Sequence, residues 1–192
     1  MRETASSSAL AGELIDRLRD AVALGDPAAV TERVQHDLEA LIAAGLDLGE
    51  RFRRPRPDGY ARRLLHREPD GRFSVVVMTW GPGQGTPLHD HAGIWCVEGV
   101  VDGRLEVARY ELVATDEDGT HRFAERGRTA AGVGACGALI PPFEYHTLAN
   151  AGGDRAAITI HVYGGDMDQC SVFEPRAEGG WVRHQKQLSF HD

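Results

Sequence analysis

The 192-residue chain carries 21 Lys and Arg against 29 Asp and Glu, a net charge of −8 spread along its length, which argues against nucleic acid as a partner. Its 42% apolar content suits one domain with one sizeable core. No apolar run approaches the ~20 residues of a membrane helix, the N-terminus lacks the pattern of a signal peptide, and Cys96, Cys136 and Cys170 are an odd number. The expectation is a cytoplasmic protein without membrane contact or a disulfide framework.

Leu10, Leu14, Leu18 and Val22 recur every fourth residue, as do Val30, Val34, Leu38 and Ile42, which predicts two amphipathic helices. Gly25 suits a helix C-terminus, Asp26 an N-cap and Pro27 the first helical position. An Arg- and Pro-rich loop follows from Arg51 to Gly59. Its cluster of Arg51, Arg53, Arg54 and Arg56 reads as a solvated linker and is assigned no function. From Tyr60 the texture changes to short runs rich in β-branched and aromatic residues, punctuated by Gly, Pro and Asp. Strands are predicted over Ala61–Arg67, Phe73–Trp80, Trp95–Val101, Arg104–Leu112, His121–Ala124, Ala138–Ile140, His146–Ala149, Ala157–Val162 and Ser171–Phe173. Asp102-Gly103 marks a hairpin. Strands in close succession, with no helices between them, predict a mainly β closed barrel or jelly roll. A single domain over 1–192 then divides into a helical segment, 1–50, a barrel, 60–175, and a C-terminal extension, 176–192.

The stretch Gly83-Gln84-Gly85-Thr86-Pro87-Leu88-His89-Asp90-His91 carries the first chemical signal. Alternate residues of an extended strand share a face, so His89 and His91 can aim both imidazoles at one point while Asp90 faces away. A third ligand must come from elsewhere, and His146 opens a later strand after Pro141-Pro142. Three neutral imidazoles leave a divalent ion its full charge and open positions. On the same interior-facing alternation lie Thr159, His161 and Tyr163, where a tyrosine hydroxyl needs a polar partner. A scatter of unrelated histidines, and an interior Tyr and His without a role in chemistry, are the plainer alternatives.

Two separated motifs resemble the cupin superfamily. Gly83, His89, His91, Cys96 and Gly103 fall at the spacings of the first, with Cys96 where a cupin has its ligand Glu. Pro141, His146 and Asn150 match part of the second, with Phe143 where Gly is usual. A cupin without that Glu needs an anionic ligand from its substrate, and a soft thiolate suits Fe(II).

With Cys96 at that position the chain resembles the cysteine dioxygenase family, through Tyr60 and Arg62 in Tyr-Ala-Arg-Arg-Leu, Trp80-Gly81, the His89-Asp90-His91 run and His161-Val162-Tyr163. The resemblance implies iron held by His89, His91 and His146, supported by Thr159, His161 and Tyr163, with His161 orienting Tyr163. It implies Arg62 and Tyr60 on a substrate carboxylate, because a guanidinium pairs with carboxylate in a bidentate way. Arg63, on the opposite face, is expected in solvent. Cys96 and Tyr163 match the pair that forms a thioether in animal-type enzymes, against the plainer reading of Cys96 as a small buried hydrophobe. Cys170 resembles a cysteine near the family's pocket mouth, and an ordinary thiol is the preferred reading. Gly164-Gly165 departs from the animal-type Ser-Pro-Pro, which puts the pocket floor in doubt. The implied activity is Fe(II)-dependent conversion of L-cysteine and O2 to cysteine sulfinic acid by a monomer or small homo-oligomer. The alternatives are 3-mercaptopropionate as substrate, and more distantly a zinc-type or non-catalytic small-ligand cupin.

Overall fold

The computed structural model describes residues 3–150 and 152–192. Helices α1, Glu3–Val22, and α2, Pro27–Ala43, open the chain. The Asp26 carboxylate accepts the Ala29 N–H at 3.0 Å, and Pro27 begins α2 where a missing N–H costs nothing. Beyond α2 the chain turns at Gly45, φ 87°, while the Leu46 N–H reaches back to the Leu41 carbonyl. Only glycine adopts that backbone without strain. The predicted stripes are buried: Leu14, Leu18, Val30, Val34, Leu38 and Ile42 pack on Phe73, Val75, Val97, Ile160 and Val162.

The strands are β1, Ala61–Arg67; β2, Ser74–Trp80; β3, Leu88–His89; β4, Cys96–Asp102; β5, Arg104–Thr115; β6, His121–Gly132; β7, Cys136–Leu139; β8, His146–Asn150; β9, Ala157–Tyr163; β10, Gln169–Pro175; and β11, Trp181–Gln187. One sheet has the order β1-β2-β9-β4-β7, and the ring β10-β11-β6-β5-β8-β3 closes on itself. The protein is mainly β, a cupin jelly-roll barrel with its N-terminal helices packed outside, as the sequence predicts. Every residue of β2 and β9 is buried, because the helices cover one face of that sheet and the barrel interior the other. Odd-numbered Val75 and Val97 therefore meet helices, whereas Val76, Met78, Trp80, Cys96 and Tyr163 point inward.

Four expectations need correction. β6 extends to Gly132 rather than ending at Ala124, although Glu125–Gly132 has no apolar alternation. Pairing with β5 along its length, and the ion pairs Arg128–Glu106 and Arg126–Glu111, hold it as strand. β11 lies within the supposed extension 176–192 yet pairs with β10 and, through Trp181, with His121 of β6, so the barrel continues past 175. The two-residue β3 is too short to leave a periodic signal. Arg63 is buried rather than solvent-facing. It does point away from Arg62, but the chain around Arg54 and the C-terminal residues cover that face, and its guanidinium donates to Thr79 Oγ1 and to the Arg54 and Asp192 carbonyls. The arginine-rich loop is anchored likewise, with Arg53 beside Asp47 and Asp102 and the Arg56 carbonyl accepting from Gln84.

Candidate metal centre and substrate cavity

His89 on β3 and His146 on β8 are cross-strand partners, which sets their imidazoles side by side, with 3.2 Å between the two Nε2 atoms. His91 follows two residues later, and the three offer ligand nitrogens that lie within 4.8 Å of one another. Asp90 turns away, as alternation requires, and its carboxylate accepts the Ser171 N–H at 2.8 Å and the Ala92 N–H at 3.1 Å. His89 Nδ1 lies 3.1 Å from the Pro87 carbonyl, an acceptor that holds the proton on Nδ1 and leaves Nε2 a lone pair. Burial pushes His89 down to about 4 and holds His91 and His146 well below the ordinary histidine range, so all three are neutral near pH 7. Neutral imidazoles with converging lone pairs, two buried and that of His89 half-buried, fit a divalent cation. A spacing near 3 Å is what adjacent ligands roughly 2.1 Å from an ion require.

β9 runs beside this cluster and pairs with β4 in a register that sets Cys96 opposite Tyr163, Glu98 opposite His161 and Val100 opposite Thr159. Burial holds the Cys96 thiol and the Tyr163 hydroxyl, on these facing residues, well above their usual ranges. The Tyr163 ring meets His91 edge-on at 5.7 Å. Thr159 Oγ1 accepts the Trp80 indole N–H at 2.9 Å and lies 2.7 Å from His161 Nε2. The expected link from His161 to Tyr163 needs correction: among the described residues no hydrogen bond joins them. Their rings stand nearly parallel, 6.1 Å between centroids, because residues two apart on a strand project side by side.

Arg62 and Tyr60 face the same cavity as the three histidines, with Tyr163, Met167, Cys170 and Leu188 among its walls. The Arg62 guanidinium donates to the Met167 carbonyl at 2.8 Å and the Ser189 carbonyl at 3.3 Å, while its Nε is buried without a partner. Tyr60 stacks on Trp80 at 4.6 Å. Cys170 is part of the cavity wall, and burial pushes its thiol up to about 11. The cavity measures about 20 Å³, room for roughly one water, so a larger guest must displace part of the wall. Gly164 shapes the region behind it: a Cβ there would lie 2.3 Å from the Trp95 indole nitrogen.

Glu98 is the site residue that sequence reasoning passes over. Asp90, between the two histidines, faces away, and the first motif has no carboxylate at 96. Two residues on, the same inward face of β4 carries Glu98, 3.7 Å from His146 Nδ1 and 3.5 Å from His161 Nδ1. Burial pushes its carboxyl up to about 8. The strand period of two was the available signal.

The family model described as cysteine dioxygenase type I matches residues 1–176. Cysteine dioxygenase type 1 of Danio rerio is 24% identical over 117 residues, covering 61% of this chain and 57% of that protein. Those of Homo sapiens and Rattus norvegicus are 23% and 27% identical, each over 61% of this chain and 56% of the relative. The chain thus spans a little over half the length of the curated relatives it matches. Among solved structures, a conserved protein with a double-stranded β-helix domain from Klebsiella pneumoniae is similar at TM-score 0.45 and 20% identity, over 61% of this chain and 87% of that one. A cupin 2 conserved barrel domain protein from Rhodopseudomonas palustris is similar at TM-score 0.45 and 16% identity, over 62% and 69%. Because the family model runs from the first helix through β10, and so spans both the three-histidine cluster and the strand that bears Tyr163, the chain belongs to the cysteine dioxygenase type I family.

Proposed function

We propose that the chain is an Fe(II)-dependent thiol dioxygenase that adds both atoms of O2 to the sulfur of L-cysteine, giving cysteine sulfinic acid. The observation that carries this reading is a single cavity that joins His89, His91 and His146 to Arg62, Tyr60 and Tyr163. Iron, when bound by the three histidines, supplies a centre that accepts thiolate and O2 together. The protein's own groups do the rest. Arg62 offers its buried, unpaired Nε–H to the substrate carboxylate, and its carbonyl contacts fix the direction of the guanidinium. Tyr163, paired with Cys96 across the strands and edge-on to the His91 ring, would donate a hydrogen bond from its hydroxyl to the reacting atoms. Met167 and Leu188 give the cavity apolar walls that limit its water. Cys96 and Tyr163, opposite one another on neighbouring strands, are the pair through which a thioether would join β4 to β9.

One observation keeps 3-mercaptopropionate as a second substrate: among the described residues no carboxylate lines the cavity to pair with the ammonium of cysteine. Oxygen uptake by iron-loaded protein with cysteine, with 3-mercaptopropionate and without thiol distinguishes these, with sulfinate product identified by mass. Thiol-dependent uptake is expected. Its absence with both thiols overturns the reading, and zinc retained in place of iron after purification would turn it toward hydrolytic or non-catalytic cupin chemistry.

A further inference from the structure

Glu98 feels the Arg109 charge, but among the described residues no side-chain hydrogen bond involves its carboxylate. Its Oε2 is buried without a hydrogen bond, and so is His146 Nδ1. If His146 turns Nε2 toward His89 and the centre, its proton sits on Nδ1, a buried donor that must find an acceptor. Glu98 Oε1, 3.7 Å away, is that acceptor. The second oxygen meets a second donor. Trp80 can only donate, so Thr159 Oγ1 accepts from it and turns its own hydroxyl hydrogen to His161 Nε2. That leaves the His161 proton on Nδ1, which lies 3.5 Å from Glu98 Oε2. Both separations exceed a normal N–H···O bond by roughly 0.5 Å, a gap that a small rotation of the glutamate side chain closes.

We propose that Glu98 is a positioning residue that takes one N–H from the metal ligand His146 and one from His161, fixing both tautomers and both ring planes. This rests on the three-histidine metal reading. A neutral carboxyl keeps one carbonyl acceptor, enough for the N–H of His146, and the carboxylate form offers an oxygen to each ring. The carboxyl that a cupin of the usual motif places on the metal would here stand behind a ligand, displaced by two residues along β4.

The test is Fe(II) affinity measured by competition with a chelator, together with the visible spectrum of the Co(II)-substituted protein. Glu98→Gln keeps the shape but offers one oxygen to two donors. Glu98→Ala removes both oxygens. Because Glu98 also borders a cavity of about 390 Å³, a shorter side chain there meets space and water rather than a closed core. Loss of an outer hydrogen bond to a ligating histidine typically weakens metal binding 10–100-fold. Glu98→Ala is expected in that range, with Glu98→Gln between it and the parent and the Co(II) bands shifted in both. Val100→Ala, on the same face of β4, controls for lost packing and should leave affinity and bands unchanged. Affinity within twofold of the parent in both Glu98 variants, with unshifted bands, overturns the proposal. If Glu98→Ala fails to fold, Glu98→Gln decides by the same two measurements. A parent that binds neither Fe(II) nor Co(II) would instead overturn the metal reading itself.

Discussion

His89 and His91 are legible in the sequence because strand alternation alone sets two side chains on one face. Glu98 obeys the same rule, two residues beyond position 96, where the motif places its carboxylate. The sequence offers Arg62 as a candidate carboxylate partner, whereas its anchoring by the carbonyls of Met167 and Ser189 is not legible there, since these lie 105 and 127 residues away. A charged hydrogen bond of this kind contributes about 1.5–3 kcal/mol. Arg62→Gln should therefore raise KM for a thiol carboxylate roughly 10–100-fold while Fe(II) affinity stays unchanged, which steady-state oxygen uptake and chelator competition would resolve. Gly164 makes a prediction of another kind. A methyl group there would overlap the Trp95 indole at 2.3–2.7 Å. Gly164→Ala should cost about 1–3 kcal/mol in urea denaturation, with the Trp95 fluorescence altered.

At the scale of elements, helices and apolar strands follow from period, and the elements that escaped are those whose stability comes from partners. The far half of β6 lacks apolar alternation and β11 is polar beyond Val182, and they are strands because β5 and β10 present hydrogen-bonding edges to them. The helices cover the sheet without reaching the site. Leu38 of α2 is fully buried against it, so Leu38→Ala should cost roughly 2–5 kcal/mol in thermal or urea unfolding yet leave Fe(II) affinity unchanged. The segment after β11 behaves oppositely. Leu188 walls the cavity, the Ser189 carbonyl holds Arg62, and the His191 ring accepts the Arg62 backbone N–H at 3.0 Å. Removing residues 188–192 should raise KM by about tenfold, through a looser Arg62. Metal stoichiometry, read by elemental analysis, should not change.

For the molecule as a whole, the buried histidines couple stability to pH. A group whose folded pKa lies below its unfolded value binds fewer protons folded than unfolded between the two, so stability falls as pH falls through that window. The window runs from 6.5 to about 4 for His89 and from 6.5 to about 3 for His161, with His91 and His146 shifted in the same sense. Glu98, raised by burial to about 8, works the other way between 4.5 and 8, and Glu144, also raised by burial, acts in the same sense, two groups against four. The metal-free protein should lose several degrees of Tm between pH 6.5 and 4.5, measured by calorimetry in chelator. Fe(II) under anaerobic conditions at 100 times its Kd should add about 2.7 kcal/mol at pH 7, and less as protons compete for the imidazoles.

Sequence by itself determined the fold class, the helices and the three-histidine set, because hydrophobic period and strand alternation are local properties and the motifs lie within short stretches. It also placed Thr159, His161 and Tyr163 on one face. Only the tertiary structure decided what those side chains meet: the facing of β3 and β8 that joins His89 to His146, the β4–β9 register that sets Cys96 beside Tyr163 and Glu98 beside His161, and the return of β11 that closes the barrel and brings Leu188 to Arg62. Register and closure are long-range pairings, and a one-residue slip in either would turn these groups to the other face of their sheet.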